Sequence, residues 1–244
     1  MDQPFITVTG IDERTDLGLL EGLGGVEIGI LYSATPEGRN RYPRKKWIVN
    51  AVHRLPRVAI HICGRKARQE LSENLLHDLV GPAKRIQING GMRRIDLYSF
   101  CVQFERHTII TQHNRANDHL LSYINAPNHA ILIDASGGRG IAPKDWTRPD
   151  TPYQVGYAGG LGPENLSKEL KRIRQTSAGS WWVDMESSLR VNDWFSVEKA
   201  KEAAWTFYSA MTIFHPIQAQ SPVASGEPGP AQGVTCKTSL MPKK

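Results

Sequence analysis

Three observations place this 244-residue chain in the α/β class and predict a single (β/α)8 TIM barrel with a flexible C-terminal tail. Eight short runs rich in β-branched residues recur along it, their starts 21 to 31 residues apart, the length of a strand, a loop and a three-turn helix. The segments between them carry apolar residues at helical spacing. The first strand-to-helix turn, Thr7-Val8-Thr9-Gly10-Ile11-Asp12, lacks the GxGxxG of a doubly wound dinucleotide fold, and eight units in about 210 residues suit a closed barrel better.

The expected strands are Phe5–Thr9, Val26–Tyr32, Arg57–Cys63, Lys84–Asn89, His107–Gln112, Ala130–Asp134, Tyr153–Ala158 and Trp181–Met185. Helical spacing is clear over Thr15–Leu23 and Arg65–Leu79. Pro163 suits a first helical turn, where Glu164 complements the helix dipole. Trp194 to Ala210 reads as a final amphipathic helix with Trp205 and Phe207 facing the core. From Pro216 to Lys244 there are five prolines and one acidic residue without periodicity, so residues 1–212 are read as the barrel and 213–244 as the tail.

Composition narrows the function classes. Residues of the AVILMFWYC set make up 40%, ordinary for a globular domain, and no apolar run approaches the roughly 20 residues that span a bilayer. The start, Met-Asp-Gln-Pro-Phe-Ile, has no basic region followed by an apolar stretch, so a cytoplasmic location and no membrane partner are expected. Cys63, Cys101 and Cys236 are too few and too scattered for a disulfide framework or a structural zinc site and are read as free thiols. The net charge is +6 and five basic residues, Arg39, Arg41, Arg44, Lys45 and Lys46, fall within eight positions. An anionic partner fits that cluster; so does a solvated helix flank, the commoner meaning of a charge run.

In a barrel, the C-terminal ends of the strands aim side chains into the reaction site. Alternation turns Thr7 and Thr9, His61 and Cys63, Arg85, Gln87 and Asn89, Asp134, and Trp182 and Asp184 inward. The seventh unit runs Ala158-Gly159-Gly160-Leu161-Gly162-Pro163-Glu164-Asn165; two glycines ahead of a helix N-terminus let backbone N–H groups approach a phosphate, although a plain tight turn would read the same. Asp134 precedes a glycine loop and would serve as an acid or merely as a helix N-cap.

Together these segments resemble phosphoribosylanthranilate isomerase over roughly residues 5 to 210. The family's Lys-Ile-Cys-Gly-Ile-Thr opening is similar to Thr7-Val8-Thr9-Gly10-Ile11-Asp12, with Thr9 in place of the cysteine. Its Ser-Lys-Arg-Tyr looks like Arg39-Asn40-Arg41-Tyr42, its Val-Gln-Leu-His-Gly like Ile86-Gln87-Ile88-Asn89-Gly90, and its Leu-Leu-Asp with a downstream Gly-Gly-x-Gly like Leu132-Ile133-Asp134 with Gly137-Gly138-Arg139-Gly140. Its Ser-Gly-Gly-Leu-x-Pro-Glu-Asn resembles Ala158 to Asn165, and its Val-Asp-Val-Ser-Ser-Gly resembles Val183 to Ser188.

The resemblance implies an aldose-to-ketose rearrangement of an N-phosphoribosyl aryl amine, without metal or organic cofactor. Asp134 would be the acid that opens the ribose ring, and Arg41 would hold the substrate carboxylate. Gln87, Asn89, Gly138 and Asp184 would contact substrate, and Gly159, Gly160, Ser187 and Ser188 the phosphate. The family's base, the cysteine, is not carried over, because a threonine hydroxyl is far too weakly acidic to serve as a base near neutral pH. The local substitutes are Cys63, as a thiolate beside a charged His61, and Glu186, as a desolvated carboxylate. Three alternatives stand beside this reading: a non-catalytic barrel that binds or sequesters a phosphoribosyl ligand, a glycosidic-bond hydrolase using Asp134 and a second carboxylate, and nucleic-acid binding through Arg39 to Lys46.

Overall fold

The computed structural model describes residues 3–36, 38–121, 126–134 and 140–214, the side chains of 115, 213 and 214 excepted. Strands β1 (Phe5–Thr9), β2 (Glu27–Ser33), β3 (Val58–Cys63), β4 (Arg85–Ile88), β5 (Thr108–His113), β6 (His129–Asp134), β7 (Gln154–Ala158) and β8 (Trp181–Met185) pair in parallel in sequence order, and β8 closes on β1. The (β/α)8 barrel expected from the sequence is present, and every strand end lies within one residue of its expected place. Outward-facing Ile6, Val8, Ile28, Ile30, Ile60, Ile62, Ile86 and Ile88 are at most 2% exposed. Burial of these β-branched side chains beneath helices is what makes the runs strands.

The helices depart from the regular βα rhythm in instructive places. Helix α1 (Leu17–Glu21) begins at Asp16, whose carboxylate accepts from the Gly18 N–H at 2.9 Å. Helix α2 is Lys45–Arg54. The single helix expected over Arg65–Leu79 is two, α3 (Arg65–Ser72) and α4 (His77–Val80), because Asn74 turns left-handed at φ 58° between them. Helix α5 is Arg94–Gln103, α6 is Pro163–Thr176 and α7 is Val197–Phe214. Among the described residues, the β5–β6 connection holds a 3-10 stretch, Arg115–Leu120, and the β6–β7 connection holds no helix. Trp146 covers that side instead. Its ring meets Tyr157 edge-on at 5.9 Å, and its indole N–H donates to Glu169 Oε2 at 2.7 Å.

The last helix starts later than expected. Trp194 belongs to a two-stranded hairpin, β9 (Arg190–Val191) and β10 (Trp194–Phe195), whose turn residues Asn192 and Asp193 both have positive φ, as the tight hairpin turn requires. Buried Arg190 donates to the Gly10 carbonyl at 2.6 Å and pairs with Asp12 at 3.3 Å, clamping the hairpin to the loop after β1. Of the two aromatics expected to face the core from α7, Phe207 does and Trp205 is 73% exposed. Residues two apart on a helix point about 200° from each other, so these two aromatics cannot share a face. Residues 215–244, most of the expected tail, lie outside the described residues.

Inside the barrel, size complementarity sets the lower layers. Trp182 fills the floor beside Gly156, where a Cβ would stand 2.1 Å from the indole. Phe5 stacks on Trp182 at 6.1 Å, and the Arg85 guanidinium lies 4.0 Å over the Trp182 ring. Above it Glu27 Oε1 accepts from Arg85 Nη1 at 2.7 Å and from the Thr7 hydroxyl at 2.9 Å. This charged layer occupies a position that bulky branched residues usually fill. It sits directly beneath the polar mouth.

Candidate active site

The upper barrel opens into a cavity of about 740 Å³ at the C-terminal ends of the strands. Its lining includes Thr9, Arg41, Cys63, Gln87, Asn89, Asp134, Gly159, Gly160, Asp184, Glu186, Ser187 and Ser188. These are all the expected site residues but one: Gly138 lies outside the described residues. Strand ends dominate, because each strand delivers its last inward residue to the same mouth.

On β1, Thr9 donates its hydroxyl proton to Asp184 Oδ1 at 2.7 Å. Room for that hydroxyl exists because its β2 neighbour is Gly29; a Cβ there would lie 2.0 Å from Thr9 Oγ1. Burial raises the Asp184 carboxyl to about 7, with Glu186 and Glu27 adding to the rise and the Thr9 hydroxyl and Arg85 opposing it. On β6, Asp134 Oδ2 accepts from Gln112 Nε2 of β5 at 2.6 Å. Asp134 and Asp184 both pair in register with Ala158 of β7, so the two carboxyls stand level, two strand spacings apart, with a methyl group between them.

The expected thiolate at Cys63 is not what this environment favours. Burial, reinforced by Glu186, pushes the thiol up to about 12, while Asn89 Nδ2 donates to the sulfur at 3.3 Å. His61 supplies no positive charge: burial and the nearby Arg85 push its imidazole down to about 3. Cys63 Sγ lies 3.5 Å from the His61 carbonyl rather than its ring. The neutral ring accepts at Nδ1 from Gln87 Nε2 at 3.2 Å, which leaves the proton on Nε2, 3.9 Å from Asp184 Oδ2.

Glu186 and Arg41 are ion-paired at 2.8 Å. Burial raises the Glu186 carboxyl while Arg41 and Arg190 hold it down. Its charge is therefore matched within the cavity wall, and a carboxylate ligand at Arg41 would have to share the guanidinium with it. The rest of the basic cluster disperses: Arg44 forms a two-pronged pair with Glu13, and Lys45 reaches Asp78 at 3.4 Å and the Leu75 carbonyl.

At the seventh and eighth strand ends, Gly159 and Gly160 have φ of 101° and 66°, conformations that suit glycine. Helix α6 follows, with Asn165 accepting from the Gly162 N–H and donating to the Gly160 carbonyl. The Ser188 hydroxyl donates to the Leu161 carbonyl at 2.6 Å, and Lys199 holds the Ser188 carbonyl at 3.0 Å. Glu164 lines the same end. Ile141 and Ala142 lie on this turn, since a Cβ at Gly160 would meet Ala142 N at 2.1 Å.

Sequence reasoning passed over Gln112, Tyr42 and Arg68, which also line the cavity. Gln112 was within reach of the strand-end rule that selects Asp134. Tyr42 and Arg68 sit off the strands, where no period marks them.

No protein-family profile and no curated protein sequence matches the chain. Solved structures do. Phosphoribosyl anthranilate isomerase from Thermus thermophilus superposes with a TM-score of 0.62 at 20% identity, covering 84% of this chain and 98% of that one. The Thermotoga maritima phosphoribosylanthranilate isomerase gives 0.62 at 15% identity, over 85% and 100% of the two chains. A 3-hexulose-6-phosphate synthase from Salmonella typhimurium gives 0.51 at 15%, over 84% and 99%. At such identities the likeness establishes the barrel fold, shared with enzymes of phosphorylated sugars.

Proposed function

We propose that this chain is an acid/base enzyme of the phosphoribosylanthranilate isomerase type that rearranges a phosphoribosyl amine from aldose to ketose. The observation that carries the reading is the convergence of Asp134, Arg41 and the Gly159–Gly160 turn on one cavity. Asp134 donates a proton to the ring oxygen, and Gln112 fixes its orientation. Arg41 recognises the acidic group of the amine in competition with Glu186, giving a bidentate contact that a lysine could not. Gly159, Gly160, Ser187 and Ser188 cradle the phosphate ahead of α6. Gln87 and Asn89 contact the sugar or its amine substituent from β4.

Thermal-shift titration tests it. Ribose 5-phosphate and a reduced phosphoribosyl-anthranilate analogue should raise Tm, whereas unphosphorylated ribose should not; ligand at a hundred times its Kd adds about 2.7 kcal/mol. Absence of a shift with every phosphoribosyl compound would overturn the reading.

A further inference from the structure

The proposed reaction needs a group to take the C2 proton, and the family's cysteine position is Thr9. We propose that Asp184, with Thr9 and His61 as its positioning residues, is the proton acceptor of this site. The inference rests on the phosphoribosyl reading for its substrate and on the geometry of β1, β3 and β8 for the residue.

Three features single Asp184 out. Its carboxylate is buried at a strand end and lines the cavity, with Oδ1 taken by the Thr9 hydroxyl at 2.7 Å and Oδ2 left for a ligand. Beside Oδ2 stands His61, buried, its Nε2 without a hydrogen-bond partner and 3.9 Å away. Because Gln87 donates to Nδ1, Nε2 carries the proton of the neutral ring, so His61 turns an N–H toward Oδ2 and does not compete as a base. Finally, the shared register with Ala158 sets Asp134 and Asp184 about 9–10 Å apart by backbone, the two strand spacings that leave space for sugar carbons between an acid and a base.

The protons balance. Asp134 gives its proton to the ring oxygen as the C1–O bond breaks and the amine becomes an iminium. Asp184 takes the C2 proton, and the electron pair of that bond forms the C1–C2 double bond of an enaminol. Collapse to the ketone delivers a proton from Asp184 to C1 and the O2 proton to Asp134, so both carboxyls end as they began. The groups facing Asp184 are Thr9 on β1, Glu27 on β2, His61 on β3, Arg85 on β4 and Glu186 beyond β8 itself; β7 presents only Ala158. The balance of this set holds the carboxyl close to neutrality, where a base is most effective.

Carbon-13 NMR of the full chain labelled at aspartate Cγ provides the test, together with turnover of phosphoribosyl amines. One aspartate resonance should titrate near pH 7, vanish in Asp184→Asn, and move to higher pH in Thr9→Val, since the lost hydroxyl favoured the charged form. Turnover should fall by about 10²- to 10⁴-fold in Asp184→Asn with KM little changed, and the acid limb of the pH–rate profile should follow the Thr9→Val shift. Asp184→Glu serves as a charge-retaining control should the asparagine variant fold poorly. Wild-type kcat in Asp184→Asn, or no aspartate titrating between pH 6 and 8, would overturn the assignment. Failure of every phosphoribosyl ligand to bind, with the near-neutral titration intact and assigned to Asp184, would overturn the substrate instead and leave the buried acceptor standing.

Discussion

At Asp134 the proton to be given and the hydrogen bond accepted from Gln112 can be separated. Asp134→Asn keeps the shape and loses the proton donor, so turnover should vanish while affinity for the reduced analogue stays within about tenfold, measured by calorimetry. A large loss of affinity would make Asp134 a binding residue. Arg41 and Lys45 separate recognition from diffuse charge in the same way. Arg41 faces the cavity paired with Glu186, whereas Lys45 is spent on Asp78 and a backbone carbonyl of the flank. Arg41→Ala should therefore weaken ligand binding far more than Lys45→Ala; equal and salt-dependent losses would point to nucleic acid. Glu186 shows why single residues mislead when read from a string. Its type marks it as a desolvated candidate base, and only the fold supplies the guanidinium, 145 positions away in sequence, that matches its charge.

At the scale of elements, the strands were legible and the helices less so. Every barrel strand is buried on both faces, and a run such as Ile28-Gly29-Ile30-Leu31 needs no neighbour to declare it. The connections after β5 and β6 were opaque because, among the described residues, their cover includes a tryptophan and a 3-10 turn, neither of which has a period. The same distinction holds in the site: Asp134, Asp184, Gln87 and Asn89 follow from strand ends and alternation, whereas the clamp of Arg190 on Asp12 depends on a hairpin whose only signal is Asn192-Asp193. The polar layer under the site is an element-level device too. Glu27 is fully buried, and its carboxylate is matched by Arg85. Arg85→Met should destabilise by about 3 kcal/mol, because the buried carboxylate loses its hydrogen-bonded cation and keeps only the more distant Arg57 at 3.7 Å, and adding Glu27→Leu should recover most of the loss. Urea denaturation of both variants decides it: a double variant no better than the single one would mean that ring packing of Arg85 on Phe5 and Trp182, not charge, holds the layer.

For the whole molecule, the buried ionisable groups that shape the barrel also fix how its stability responds to acid. His61 inside the barrel and His129 outside it, where Nε2 meets the Thr111 hydroxyl at 2.8 Å, are both held down to about 3, chiefly by burial. As pH falls below about 6.5 the unfolded chain protonates both while the folded protein does not, so the unfolded state binds more protons and stability is lost. Asp184 works in the opposite sense. Its folded carboxyl, raised to about 7, keeps a proton that the unfolded chain releases above about 4, which adds stability as pH falls through 7. Each unmatched proton is worth about 1.4 kcal/mol per pH unit, so near pH 5 the two histidines outweigh the one aspartate. The native protein should accordingly lose stability between pH 6.5 and 4, measured as urea midpoints at half-unit intervals. His129→Gln removes one depressed group far from the cavity and should flatten that loss. Asp184→Asn removes the opposing group and should steepen it. Profiles that superimpose for all three proteins would mean that neither ring nor carboxyl is held away from its ordinary range by the fold, and the case for a near-neutral acceptor in the barrel mouth would go with them.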